Sequence, residues 1–417
     1  MTSEHERQPP RLGLVPAIGI GVGSMLGAGV FIVWSPAASA AGTWLPVAVL
    51  LAAAIAAINA LSTAHLAALH PVAGGAYAYG TRELRAPWGF VAGAGFVTGK
   101  TASLAAMALA IGNYTWQGNS RWVATGVLIA ALVLNAMGVN RTAAVTTVIA
   151  VIVTAGLIVI AGASVASPAA APGPSADVGL AGVVEAAALV FFAFAGYARL
   201  ATLGEEVRDP ERVIPRAVAW ALCIVIAVYG LLAFVVLRRP SVAALTDADA
   251  PLARTAPDGG LWPQLVALLA MAAAGGALVA LLAGVGRTAM AMARDGQFPR
   301  VLARRNRREV PVLAEAVAAS AAIALVWWGD VGFAIAMSSA AVLAYYAVAN
   351  AAAMAARRRG ARMPMPLAIS GLGLALCVAL AASVDPRALA SAAGVMMLTV
   401  LVRAGVLWRG GRRPTES

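Results

Sequence analysis

The chain has 417 residues, of which 61% are hydrophobic and 12% are charged, and its mean hydropathy is +0.84. A soluble protein of this length cannot keep so much apolar surface from water, so the composition predicts an all-α polytopic membrane protein. The formal net charge of +12 comes from basic residues spread over short loops, which is typical of a membrane protein and not of a nucleic-acid-binding one. Two cysteines and three histidines show no disulfide pattern and no metal-ligand spacing, so we expect no metal and no cofactor.

Twelve apolar segments are long enough to cross a bilayer as helices, and we number them spans 1 to 12. They lie near residues 13–37, 43–68, 88–113, 121–139, 142–166, 181–203, 215–238, 262–291, 312–328, 331–355, 365–383 and 388–408. An even number places both termini on one side, and the arginines in the loops that follow even-numbered spans predict that this side is the cytoplasm. The preference for arginine and alanine over lysine indicates GC-rich bacterial DNA, so we expect a location in the bacterial inner membrane.

Span 1 contains an unusual number of glycines, at positions 19, 21, 23, 27 and 29. Each glycine in a helix interior costs about 0.5–1 kcal/mol relative to alanine. The pattern predicts a helix that is interrupted near the middle of the membrane, with N–H groups turned toward a cavity where an anionic group binds. Close packing between two helices is the alternative explanation for these small residues.

Span 3 carries Lys100, the only lysine of the chain, near its middle. A charge at that depth costs about 2.5–3.5 kcal/mol on insertion scales, so we expect the side chain to face the bundle interior. It is a candidate for a proton carrier or coupling group. A purely structural pairing and an extension of the side chain to the headgroups are the alternatives.

Span 6 has aromatic residues around Gly196, then Arg199 and a polar stretch that includes Glu205 and Glu206. This pattern predicts a second interrupted helix, with Glu205 as a further coupling candidate. One of the two glutamates could pair with an arginine such as Arg199, and both could instead lie in the solvated loop. Interruptions at equivalent places in two five-helix halves are typical of an inverted-repeat transporter with a site at the bilayer midplane.

The predicted organisation follows from this symmetry. A cytoplasmic tail at 1–12 precedes a first five-helix repeat at 13–166 and a second, inverted repeat at 181–356. Two extra helices occupy 365–408, and a cytoplasmic tail occupies 409–417.

Four stretches resemble the amino acid–polyamine–organocation superfamily, and among its members the bacterial amino acid permeases. They are the glycine-rich segment 23–31, the loop 71–79 after span 2, the segment 192–217 of span 6 and its following loop, and the loop 287–299 after span 8. The four motifs occur in the family's order.

This resemblance implies a fold of five plus five helices in inverted repeats, with spans 1 and 6 broken and spans 11 and 12 added. It implies that the substrate carboxylate binds the backbone of Gly27, Ala28 and Gly29. It also implies that the substrate amine binds carbonyl groups of span 6. Those carbonyls belong to Phe192, Ala193 and Ala195.

The aromatic ring of Phe192 would match the family's gating position, and a lipid-facing Phe192 is the alternative.

Sodium-coupled relatives use hydroxyl side chains on span 8, but residues 268–284 contain no serine or threonine. Since sodium needs oxygen ligands, proton coupling or substrate exchange is the better expectation.

The sequence therefore predicts a secondary transporter that moves an amino acid by alternating access. A neutral zwitterion is favoured, because no acidic side chain stands at either break. A polyamine or organocation carrier of the same fold and a non-transporting sensor are the alternatives. We do not expect an enzyme, because the spans contain no nucleophile–base pair. The sequence indicates no oligomeric state.

Overall fold

The computed structural model describes residues 12–70, 74–138, 143–168, 178–201, 206–239, 242–246, 248–361 and 365–410. Every predicted span corresponds to helix in these ranges, and the described residues contain no strand. The helices of spans 2 to 5 are Leu45–Leu69, Ala86–Thr115, Ser120–Ala136 and Ala143–Ala166. Those of spans 7 to 12 are Pro210–Arg238, Trp262–Arg294, Val312–Trp328, Val331–Arg358, Leu367–Ser383 and Pro386–Gly410. The protein is therefore an all-α polytopic membrane protein.

Spans 1 and 6 are each divided into shorter helices. Span 1 consists of Leu14–Met25, Gly29–Ile32 and Trp34–Ala41. Span 6 consists of Leu180–Phe194 and Ala198–Ala201, joined by a 3₁₀ turn. The spans that surround them are continuous helices, so the interruptions are confined to the two segments where the glycine and aromatic patterns predicted them.

The connections between spans hold short helices. Ala76–Leu84 follows span 2, and Val242–Thr246 and Pro251–Thr255 lie between spans 7 and 8. Span 7 begins at Pro210, five residues before the predicted start, because Pro210 occupies the first helical turn, where its missing N–H costs nothing.

Small residues bring span 3 close to span 10. A Cβ placed on Gly95 would lie 2.8 Å from the carbonyl oxygen of Ala341, and one on Gly99 would lie 3.0 Å from that of Ser338. Packing between helix backbones at this distance is typical of membrane bundles, where small residues let helices approach. This contact holds the middle of span 3, and with it Lys100, at a defined depth.

A buried polar cluster joins spans 2, 10 and 11. Asn350 donates to the Oδ1 of Asn59 at 2.6 Å, and Ser62 donates to the Oδ1 of Asn350 at 2.7 Å. Cys377 of span 11 contacts the same pair of asparagines. Since all these side chains are buried away from water, the hydrogen bonds give the three spans a specific register.

Candidate functional site

The break in span 1 exposes backbone donors. The first helix ends at Met25 and the next begins at Gly29, with Leu26, Gly27 and Ala28 between them. In the part of the chain that the structure describes, the N–H groups of Gly27 and Ala28 donate to no protein acceptor. Both residues are buried, and a buried peptide N–H without a partner is costly. The break is therefore suited to an anionic ligand that accepts from these N–H groups.

The break in span 6 is a 3₁₀ turn over Ala195, Gly196 and Tyr197. The N–H of Ala195 donates to the carbonyl oxygens of Phe191 and Phe192. The carbonyl oxygen of Ala195 accepts from two side chains at 3.2 Å, the Nζ of Lys100 and the Oη of Tyr346. One of the three acceptors that the resemblance assigns to a substrate amine thus already accepts from two donors of the protein.

The two breaks are in backbone contact. A Cβ on Gly196 would lie 2.2 Å from the carbonyl oxygen of Ser24, and a Cβ on Gly29 would lie 2.7 Å from the Cα of Ala193. A side chain at either position would collide with the other span. The two glycines therefore set the distance between spans 1 and 6, a role for Gly196 that the sequence pattern did not reveal.

A cavity of about 230 Å³ lies between the breaks. Lys100 lines this cavity. All six residues predicted to bind substrate line it as well: Gly27, Ala28, Gly29, Phe192, Ala193 and Ala195. Phe192 is buried on this wall, so the alternative of a lipid-facing ring does not hold. The predicted coupling residue Glu205 lies outside the described residues.

Several lining residues were not singled out as substrate contacts by the sequence analysis. Ser103 lies one turn after Lys100, on the same face of span 3, so helical spacing could have suggested it. Arg287 of span 8 and Glu206 after span 6 lie where the cavity meets solvent. Spacing along the chain cannot show that these two come together, because they belong to different helices of the bundle.

The cavity opens toward the arginine-rich loops, and neighbouring contacts link those loops. Tyr77 donates to the Oδ2 of Asp295 at 2.5 Å, which connects two of the loop motifs that carry the family resemblance. Burial, and then the hydrogen bond to Asp295, raises the pKa of Tyr77, so the phenol keeps its proton and acts as the donor. Leu12 forms a parallel bridge with Val207, which ties the start of span 1 to the segment after span 6.

The opposite end of the cavity is closed. The hydroxyl of Tyr114 donates to the carbonyl oxygen of Phe31 at 2.7 Å and accepts from the N–H of Leu252 at 3.1 Å. Ser35 donates to the carbonyl oxygen of Thr246 at 2.7 Å. These hydrogen bonds hold the loop between spans 7 and 8 against the last part of span 1.

Lys100 points into the bundle interior. Its side chain is 7% exposed, and Nζ reaches the carbonyl of Ala195 and not the membrane surface. No carboxylate among the described residues lies within ion-pair distance of this ammonium. The Lys100 side chain therefore lies in the bundle interior, as the cost of a charge in the membrane predicted. Its hydrogen-bond partner is a backbone carbonyl group.

Two interrupted helices that meet at a cavity open to one end define a membrane carrier built from broken helices. Comparison with known families agrees with this class. The sequence model of the family described as amino acid permease matches residues 17–397, which is most of the chain. The protein belongs to the amino acid permease family, within the superfamily indicated by the four motifs.

Individual relatives are also transporters by name. The uncharacterized transporter Rv1999c of Mycobacterium tuberculosis is 45% identical over 350 residues, which cover 82% of this chain and 80% of that protein. The uncharacterized transporter Mb2022c of Mycobacterium bovis has the same identity and coverage. The cationic amino acid transporter 2, vacuolar, of Arabidopsis thaliana is 33% identical over 153 residues, or 36% of this chain and 24% of that protein.

Proposed function

We propose that this protein is a secondary active transporter that moves amino acids across the bacterial cytoplasmic membrane by alternating access. The observation that carries the proposal is the break at Gly27 and Ala28, two residues that line a cavity between two broken helices and whose N–H groups have no acceptor among the described residues. Half-helix ends of this kind bind the charged groups of small substrates in carriers of this class.

The two breaks support the binding of an amino acid. The substrate carboxylate accepts from the N–H groups of span 1, and the amine lies near the carbonyl groups of Phe192 and Ala193. The charged side chains that line the cavity are Lys100, Arg199 and Arg287 against Glu206 alone. An excess of positive charge disfavours a cationic substrate, so we propose a neutral amino acid in preference to a polyamine or a basic amino acid.

The open end of the cavity lies beside the arginine-rich loops, which the positive-inside rule assigns to the cytoplasm. We therefore propose that both termini are cytoplasmic and that the carrier is in an inward-facing state. Phe192, on the cavity wall, is our candidate for the gate. Proton coupling or exchange is proposed over sodium coupling, because the wall contributed by the middle of span 8 consists of alanine, glycine and leucine and offers no side-chain oxygen.

Uptake of radiolabelled amino acids into proteoliposomes tests this proposal, with and without sodium and with and without an inward proton gradient. We expect flux of at least one neutral amino acid that does not depend on sodium. Gly29→Leu should abolish it, because the added side chain collides with the backbone of span 6, whereas Gly162→Leu adds a side chain where nothing lies within 4 Å and should retain it. Binding without flux would indicate a sensor, and no binding of any amino acid would refute the proposal.

A further inference from the structure

Lys100 brings a positive charge to the cavity, and no carboxylate among the described residues lies within ion-pair distance of it. It lies at the centre of Ala86–Thr115, and its ammonium is buried; among the residues that the structure describes, its one hydrogen-bond acceptor is the carbonyl oxygen of Ala195 at 3.2 Å. A buried ammonium that lacks a negative partner is strongly unfavourable in a low-dielectric site. Something that enters the cavity is therefore expected to supply the negative charge.

The carbonyl of Ala195 has no capacity for another donor. A carbonyl oxygen has two lone pairs, and here the Nζ of Lys100 and the Oη of Tyr346 use both. A substrate ammonium could bind this oxygen only by displacing one of them. The lysine ammonium thus occupies one of the three carbonyl oxygens at the break of span 6 to which the resemblance assigns the amine of a substrate.

The same cavity offers a place for an anion. Gly27 and Ala28, whose N–H groups have no acceptor among the described residues, line it together with Lys100, and the two breaks touch at Gly196 and Ser24. A carboxylate has two oxygens, so one can accept from the peptide N–H groups while the other accepts from an ammonium. Hydrogen bonds to a charged donor are about twice as strong as those between neutral groups.

We propose that Lys100 is a substrate-binding residue that pairs with the substrate carboxylate and replaces the substrate amine as the cation of the site. Molecules that bear a carboxylate bind, and the α-amino group contributes little. This inference rests on the proposed function, since it concerns the same cavity. It adds that the protein recognises its substrate mainly through the carboxylate.

Matched ligands test the assignment. Purified wild-type protein is screened by thermal shift against the twenty standard amino acids. For the three that stabilise it most, the deaminated acid and the decarboxylated amine are then titrated; for leucine these are 4-methylpentanoate and 3-methylbutylamine. We expect the Kd of each acid to lie within about threefold of that of its amino acid, because the carboxylate supplies most of the binding, and we expect no binding of the decarboxylated amine.

Variants of Lys100 show whether the ammonium is responsible. Lys100→Met keeps the length of the side chain and removes the charge, and the hydroxyl of Tyr346 still satisfies the Ala195 carbonyl. We expect it to raise the Kd of the acids and the amino acids at least about tenfold, the effect of losing a charge-assisted hydrogen bond. Lys100→Arg, which keeps the charge, should restore part of the affinity.

The outcomes separate this inference from the proposed function. Amino acid binding that requires the amine, or that is unchanged in Lys100→Met, would overturn the role of Lys100 and leave the transporter proposal intact. Binding of carboxylic acids without amino acids would overturn the amino acid substrate and support the role of Lys100. Failure of every ligand to bind would overturn both.

Discussion

Gly196→Ala is the smallest change that should separate the two broken helices. The new methyl carbon would lie 2.2 Å from the carbonyl oxygen of Ser24, 2.4 Å from its carbonyl carbon and 2.7 Å from the nitrogen of Met25. All three atoms belong to backbone, so no side chain can move aside. Overpacking of this kind costs about 1–3 kcal/mol and occasionally more.

Gly284→Ala provides the matched control. Gly284 lines the same cavity, but a Cβ there would meet nothing within 4 Å, and alanine in a helix gains about 0.5–1 kcal/mol over glycine. The two substitutions add the same methyl group, so their difference in stability should be about 1.5–4 kcal/mol.

Thermal unfolding in detergent and amino acid uptake in proteoliposomes measure this difference. Gly196→Ala should lower Tm and reduce uptake, whereas Gly284→Ala should leave Tm unchanged or raise it and retain uptake. Equal Tm values and equal uptake for the two variants would show that the contact between the breaks at Gly196 does not hold the site together.

Three further predictions concern the closed end, the cavity wall and a buried carboxylate. Tyr114→Phe removes the hydroxyl that bonds Phe31 and the loop after span 7, so the closed end should lose about 1–3 kcal/mol. Hydrogen exchange in that loop should increase, and unchanged exchange would contradict the role of the hydroxyl. Phe192→Ala removes the aromatic wall and should weaken amino acid binding at least about tenfold, whereas Phe192→Tyr should retain it; equal Kd values would exclude a ring contact. Glu315→Leu removes an acceptor from Asn135 and should cost about 1–3 kcal/mol, while Glu315→Gln keeps that acceptor, so equal Tm values for the two variants would contradict the prediction.

The extent of each span could be predicted from local sequence, because hydrophobic length alone decides whether a segment crosses a bilayer. The predicted start or end of a span was wrong by a few residues where a cap or a proline sets the helix boundary, as at Pro210. The break in span 1 was also predictable, because several glycines destabilise a helix whatever its surroundings are.

The composition of the cavity wall was only partly predictable. The six backbone positions of the two breaks followed from the family motifs, and all six line the cavity. Arg287 and Glu206 at its mouth did not follow, because they lie on segments whose proximity depends on how the helices are arranged. The order of the motifs along the chain gives no information about the distance between such segments in the fold.

The sequence by itself determined that the chain spans a membrane, where its helices lie, that span 1 is interrupted and that Lys100 must face inward, because hydropathy, glycine and a lone charge act locally. Only the tertiary structure decided that the partner of Lys100 is the carbonyl of Ala195, which is 95 positions away along the chain. It also decided that Gly196 faces the backbone of Ser24 and that Tyr114 joins span 1 to the loop between spans 7 and 8. These contacts join distant segments, and their geometry is set by the packing of whole helices against one another.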